Sequence, residues 1–159
     1  MQRQRFPESD SRISSSEGCA IATVAGAVYR DGHIVIEGNR ITAVGPGPAR
    51  GSGERIDASG MLATPGLINC HHHLYQHATR GLAQQATLFE WLVELYPVWA
   101  HVDAEVESAA ARAGLAALAR SGCSTSTHHH YVFPAGAGDL LEVEIEAARG
   151  LGVRFHPCR

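Results

Sequence analysis

The sequence has little excess charge, few aromatics and no long apolar run. Its formal net charge is −3 over 159 residues with histidines neutral, and only 6% of residues are aromatic. The charge excludes a strongly basic nucleic-acid surface and a polybasic membrane patch. No stretch approaches the roughly 18 uninterrupted apolar residues of a membrane-spanning helix. No C-x-x-C pair occurs: Cys19, Cys70, Cys123 and Cys158 lie far apart and make no compact disulfide framework. Residues 1–18 are polar and Ser-rich with no apolar core, so they do not read as a secretory signal. A cytoplasmic protein with reduced thiols is the expectation. No internal repeat is visible. The cytidine-type zinc-deaminase signature is also missing, because no H-x-E precedes Pro157-Cys158-Arg159.

Hydrophobic residues are not scarce. They make up 45% of the chain against 18% charged residues, enough to build a core. The length is short of the roughly 250 residues that close a (β/α)8 barrel. Three segments are expected. Residues 1–18 read as a flexible tail. Residues 19–64 read as a small antiparallel β module, with strands at Ala20–Val24, His33–Glu37 and Ile41–Val44 and turns at Asp31-Gly32 and Gly38-Asn39. From Pro65 onward strands alternate with helices, and residues 65–159 predict β-α-β-α-β with a parallel sheet. Leu67–His71 reads as a buried strand, followed by a polar loop to Gln85 and a short helix with Leu88, Trp91, Leu92 and Leu95 on one face. Asp103 caps a helix that places Ala109, Ala110, Ala113, Ala117 and Leu118 on one face and stops at Gly122. Cys123–Tyr131 is the next strand. Asp139 caps a helix carrying Leu140, Leu141, Val143, Ile145 and Ala148, and Val153–His156 opens a third strand.

The ten histidines include two triplets, His71-His72-His73 and His128-His129-His130. Alternate residues of a strand face the same side, so His71 and His73 can converge on one ion while His72 points away. A hydrolytic zinc site keeps about three protein ligands and an open position for water. His128 and His130 share a face in the same way. A polar strand end held by hydrogen bonds is the favoured reading there, with the role of His128, His129 and His130 left open. Trp91, Trp99, Phe89 and Tyr96 read as packing.

Thr64–Leu74, with its H-x-H, resembles the opening barrel strand of the amidohydrolase superfamily, in its deaminase and triazine-hydrolase branch. Leu88-Phe89-Glu90-Trp91-Leu92, Leu95–Trp99, His129–Pro134 and Arg154-Phe155-His156-Pro157 are similar to that branch as well. The resemblance covers about Ala20 to Arg159. It implies an α/β fold: the first units of a (β/α)8 metal-dependent hydrolase barrel, incomplete here, behind a small β-sandwich module. It implies one divalent metal ion, zinc by preference, on His71 and His73. It implies hydrolytic deamination of a purine-type substrate by metal-activated hydroxide, 8-oxoguanine giving urate and ammonia. Guanine, pterins and hydroxytriazines are alternative substrates. Gln76, three residues after His73, would contact the purine, since an amide both donates and accepts. The acid and base residues and the remaining ligands are expected beyond Arg159, and the parent enzyme is expected to self-associate. No nucleic acid or membrane partner is implied. The alternative is an inert truncated chain, poorly soluble by itself.

Overall fold

A computed structural model describes residues 13–51 and 53–159. The chain forms two compact units that meet at Pro65 and Gly66.

The first unit is a five-stranded sheet. Its strands are β1 (Ile13–Ala22), β2 (Val28–Glu37), β3 (Arg40–Pro46), β4 (Glu54–Asp57) and β5 (Leu62–Ala63). The spatial order is β3-β2-β1-β4, and β5 also pairs with β1. β2 and β3 run antiparallel to their neighbours, whereas β4 and β5 lie parallel to β1. The module is therefore mixed rather than antiparallel, and its described strands form one sheet. The expected tail falls partly outside the described residues, but residues 13–18 are strand, not tail. Their Ser-rich sequence shows no apolar alternation. What holds them is backbone pairing on both sides, to β2 and to β4.

The hairpin expected at Asp31-Gly32 does not form. β2 runs straight through it, with Gly32 opposite Cys19 beside a bulge in β1. Space is tight there: a Cβ on Gly32 would lie 2.6 Å from Ile21 Cδ1 and 3.0 Å from the backbone carbonyl oxygen of Gly45. The turn at Gly38-Asn39 does form, between β2 and β3. Cys19, Ile21 and Ala58 make the unit's small core.

The second unit has a three-stranded parallel sheet of β6 (Leu67–Asn69), β7 (Cys123–His129) and β8 (Arg154–Cys158), in that order. Three helices complete it: α1 (Leu88–Trp99), α2 (Ala104–Arg120) and α3 (Leu140–Leu151). Their N-termini follow from capping chemistry. Thr87 and Glu90 exchange hydrogen bonds in a capping box, and Asp103 and Asp139 accept from the amides of Val106 and Glu142. Gly122 lies just past α2, where its stop was expected, and Gly152 ends α3 in the left-handed conformation at φ 69°.

The polar loop is not featureless. Leu74–Thr79 winds into a 3-10 turn that buries Leu74, Tyr75 and Thr79. Leu74 joins Ala111, Leu115, Ala147, Ala148 and Val153 in one core. Tyr75 joins Leu95, Trp99, Val102, Val132 and Leu140 in another. Gly114 of α2 makes this docking possible, since a Cβ there would meet His77 Cδ2 and Leu74 Cδ2 at 2.8 Å.

Three burial expectations fail. β6 is an edge strand, and its Leu67 and Ile68 are 60% and 67% exposed instead of buried. Leu88 and Phe89, at the start of α1, are exposed as well. The buried stripes of α2 and α3 are rotated from those expected. They comprise Glu107, Ala110, Ala111, Gly114 and Leu115 in α2, and Leu140, Glu144, Ala147 and Ala148 in α3. Each stripe thus carries a glutamate.

Candidate metal centre

β6 ends where Asn69 Oδ1 accepts the amide of His71 at 2.9 Å. Side-chain capture of the backbone two residues on turns the chain out of the strand. His71–His73 therefore lie just beyond β6 rather than inside it. The two-residue spacing still works, because His73 stays extended at φ −133° and ψ 90°. His71 and His73 face each other with their Nε2 atoms 3.0 Å apart.

The tautomer of His73 follows from its other nitrogen. Nδ1 lies 2.7 Å from the carbonyl oxygen of His129. A carbonyl only accepts, so Nδ1 carries the proton and Nε2 presents its lone pair toward His71. An N–H fixed on a backbone carbonyl is the support that orients metal-binding histidines. The donor set fits a divalent ion such as zinc.

His72 turns away, as parity requires. Its ring stacks on His77 at 5.2 Å and 14° between planes. Burial, with His77 adding, pushes its pKa down to about 4. It is therefore a neutral, half-buried ring near pH 7. Burial likewise lowers His77. His71, His73, Gln76, His77, Arg80 and Trp91 are among the residues around a cleft of about 340 Å³. Gln76 is held in that wall: its Nε2 donates to the Tyr131 hydroxyl at 3.1 Å and to Tyr75 at 3.4 Å. Burial pushes the Tyr75 phenol well up, so it remains a neutral donor and acceptor.

The second triplet is a different object. His129 is exposed, and its ring stacks on His71 at 5.2 Å. His128 and His130 are 0% and 1% exposed. Glu144 Oε1 lies 2.8 Å from His128 Nε2 and 2.8 Å from His130 Nδ1. By spacing alone His128, His130 and Glu144 could gather a metal ion, with donor atoms within 4.8 Å of one another. Their hydrogen bonds oppose it. His128 Nδ1 accepts the amide of Leu74 at 2.9 Å, so the ring's proton sits on Nε2 and points at Glu144. His130 Nε2 lies 2.6 Å from the carbonyl of Val132, so it donates there, and Nδ1 lies 2.8 Å from Glu144 Oε1 and 3.1 Å from His128 Nε2. A metal bound through His128 would have to displace the proton that its Nε2 holds toward Glu144 or the Leu74 amide that its Nδ1 accepts.

Burial raises the Glu144 carboxyl, but hydrogen bonds from His128 and His130 outweigh it and hold the pKa below the ordinary value. Burial lowers His128, against the pull of Glu144. Behind them Glu107 is fully buried, and burial, with Glu144 adding, pushes its pKa up to about 9. The two carboxyls feel each other, yet no hydrogen bond of ordinary geometry joins them. Both Glu107 oxygens and Glu144 Oε2 lack a partner among the described residues. Sequence reasoning missed both glutamates. Glu107 shares its helix face with the buried Ala110, Ala111, Gly114 and Leu115, and Glu144 shares its own with Leu140, Ala147 and Ala148, places where a charge needs an explanation.

The sequence profile of the amidohydrolase family matches residues 62–158. An 8-oxoguanine deaminase of Pseudomonas aeruginosa is 40% identical over 139 residues, which are 85% of this chain and 31% of that protein. A hydroxydechloroatrazine ethylaminohydrolase of a Pseudomonas species is 34% identical over 86% of this chain and 31% of its own length. The zinc complex of an atrazine chlorohydrolase from Arthrobacter aurescens superposes with a TM-score of 0.84 at 32% identity, covering 92% of this chain and 35% of that one. The chain thus spans about a third of the length of the relatives it matches, and it belongs to the amidohydrolase family. Among the described residues, no helix is long and apolar enough to cross a membrane.

Proposed function

We propose that this amidohydrolase is a zinc-dependent deaminase of nitrogen heterocycles, with 8-oxoguanine as substrate and urate and ammonia as products. The carrying observation is the His71–His73 pair: two Nε2 atoms 3.0 Å apart at a sheet end, with His73 oriented by the carbonyl of His129. A zinc ion held there supplies the Lewis acidity that makes water nucleophilic near neutral pH. His73 keeps its Nδ1 proton on His129 and leaves Nε2 available. Gln76, fixed by Tyr131 and Tyr75, offers an amide to the edge of a purine, and Trp91 offers a flat wall beside it. Overall, water adds at the ring carbon bearing the amine, the C–N bond breaks, and ammonia leaves with the protons that balance it.

The substrate reading is supported by the 8-oxoguanine deaminase, at 40% identity. A hydroxytriazine substrate is supported by the hydroxydechloroatrazine ethylaminohydrolase. A second reading also has an observation behind it. Among the described residues no third His, Cys, Asp or Glu groups with His71 and His73. A hydrolytic zinc site takes about three protein ligands, so the chain as given would be inert until further donors are supplied.

The test is a zinc titration of the full chain followed by histidine-ring NMR, then ammonia release from 8-oxoguanine, guanine, isoxanthopterin and hydroxyatrazine. Zinc should move the Nε2 signals of His71 and His73, and any turnover should be fastest on 8-oxoguanine and vanish in His71→Ala/His73→Ala. Unmoved ring signals would overturn the metal assignment, and a triazine preference would overturn the purine assignment. Zinc at the pair with no ammonia release supports the second reading.

A further inference from the structure

We propose that Glu144 of α3, acting through His128, is a positioning residue for the His71–His73 pair; this rests on that pair being the metal site. The segment carrying the pair has no regular structure of its own between β6 and the 3-10 turn. Its conformation is set by hydrogen bonds to the end of β7. The His129 amide donates to the carbonyl of His72 at 2.9 Å, and the His129 carbonyl accepts Nδ1–H of His73 at 2.7 Å. The Leu74 amide, the first after His73, donates to His128 Nδ1 at 2.9 Å.

The third bond is the only one of these in which the partner on β7 is a side chain, and that side chain needs support. An imidazole accepts at Nδ1 only if its proton is on Nε2. Glu144 Oε1, 2.8 Å away, is the acceptor that selects this tautomer. His130 makes the same oxygen a shared point: its Nδ1 lies 2.8 Å from Glu144 Oε1, and its Nε2 donates to the Val132 carbonyl at 2.6 Å. All three side chains are at or below 1% exposure, so no water competes for these bonds. A carboxylate on α3 is thereby linked through one imidazole to the peptide that fixes His73. It touches neither the cleft nor the pair.

The experiment uses the full chain with zinc as probe. Histidine ring tautomers are read by long-range 15N NMR, and zinc affinity by calorimetry. In the unaltered chain His128 should show the Nε2–H tautomer and the Leu74 amide should exchange slowly with solvent. An Nδ1–H tautomer or a fast Leu74 amide overturns the proposal before any variant is made. His128→Leu should weaken zinc binding about 10- to 100-fold. His128→Asn should stay within about threefold, because Asn Oδ1 can accept the Leu74 amide while Nδ2 donates to Glu144. Asp139→Ala, a stability control at the α3 cap, should leave zinc affinity unchanged. A folded His128→Leu variant that binds zinc normally contradicts positioning. So does an equal loss in His128→Asn, or a loss in the Asp139→Ala control. If His128→Leu does not fold, the tautomer, the amide exchange and His128→Asn still decide. If zinc leaves His71 and His73 unmoved in the unaltered chain, the metal reading fails, while the tautomer and exchange results report on the hydrogen bonds alone.

Discussion

Two histidine pairs with the same i, i+2 spacing stand at the ends of neighbouring strands, and their chemistry is opposite. His71 and His73 lie at an open cleft with their Nε2 atoms converging. His128 and His130 are buried, and every ring nitrogen has a fixed partner: Leu74, Glu144 or Val132. Spacing decides whether two rings can converge. What the remaining nitrogens bond to decides whether they have lone pairs to offer. The first pair reads as a metal site in waiting, and the second as part of the scaffold that holds it.

The largest test of that contrast is stability. Glu144→Ala removes the buried oxygen shared by His128 Nε2 and His130 Nδ1 and should destabilise the chain by about 3–5 kcal/mol, measured by urea unfolding. His71→Ala/His73→Ala should change stability by less than about 1 kcal/mol. A Glu144→Ala effect as small as that would remove the scaffold role.

Next in size is a pH effect on the buried side. Glu107 holds its proton up to about pH 9 when folded but releases it near its ordinary 4.5 when unfolded. Its contribution is therefore intact below about pH 4.5 and is lost as pH rises toward 9. Glu107→Gln stays neutral and escapes this loss. It should gain on the order of 2–3 kcal/mol relative to the unaltered chain between pH 4.5 and pH 7. Thermal melts should show the two diverging as pH rises. Parallel pH curves would place Glu107 outside the buried network. Glu144 works in the other direction. Its carboxyl is depressed, so the stability it lends is present above its ordinary range and lost on acidification.

On the open side, His71→Ala/His73→Ala should cut zinc affinity at least about tenfold, a difference of about 1.4 kcal/mol, with the fold intact by circular dichroism. Zinc binding that survives the double substitution would erase the contrast. The smallest effect is at the α3 cap. Asp139→Ala should cost about 1 kcal/mol of stability without moving zinc affinity, separating general loosening of α3 from the specific action of Glu144.

Much of this was legible in the residues. The helix starts at Asp103 and Asp139, the alternation of strands and helices after Pro65 and the opposite orientation of His72 all follow from local chemistry. Asp31-Gly32 misled because a glycine suited to a turn is equally suited to a crowded strand: the nearby Ile21 decides, and that contact is not local. Residues 13–18 misled because pairing from both sides, not side-chain pattern, makes them strand. Glu107 and Glu144 were hidden by the habit of reading helix glutamates as solvated. Their positions on the buried stripes of α2 and α3 become evident only once the helical phase is set by the 3-10 turn docking at Gly114. The partners of His128 lie 54 residues back at Leu74 and 16 residues on at Glu144, beyond any motif.

The most direct test of the central contrast is one long-range 15N histidine spectrum of the full chain, recorded with and without zinc. Without zinc, His73 should carry its proton on Nδ1 and His128 on Nε2. Zinc should shift the Nε2 signals of His71 and His73 and leave those of His128 and His130 in place. Zinc shifts at His128 and His130, with His71 and His73 unmoved, would contradict it.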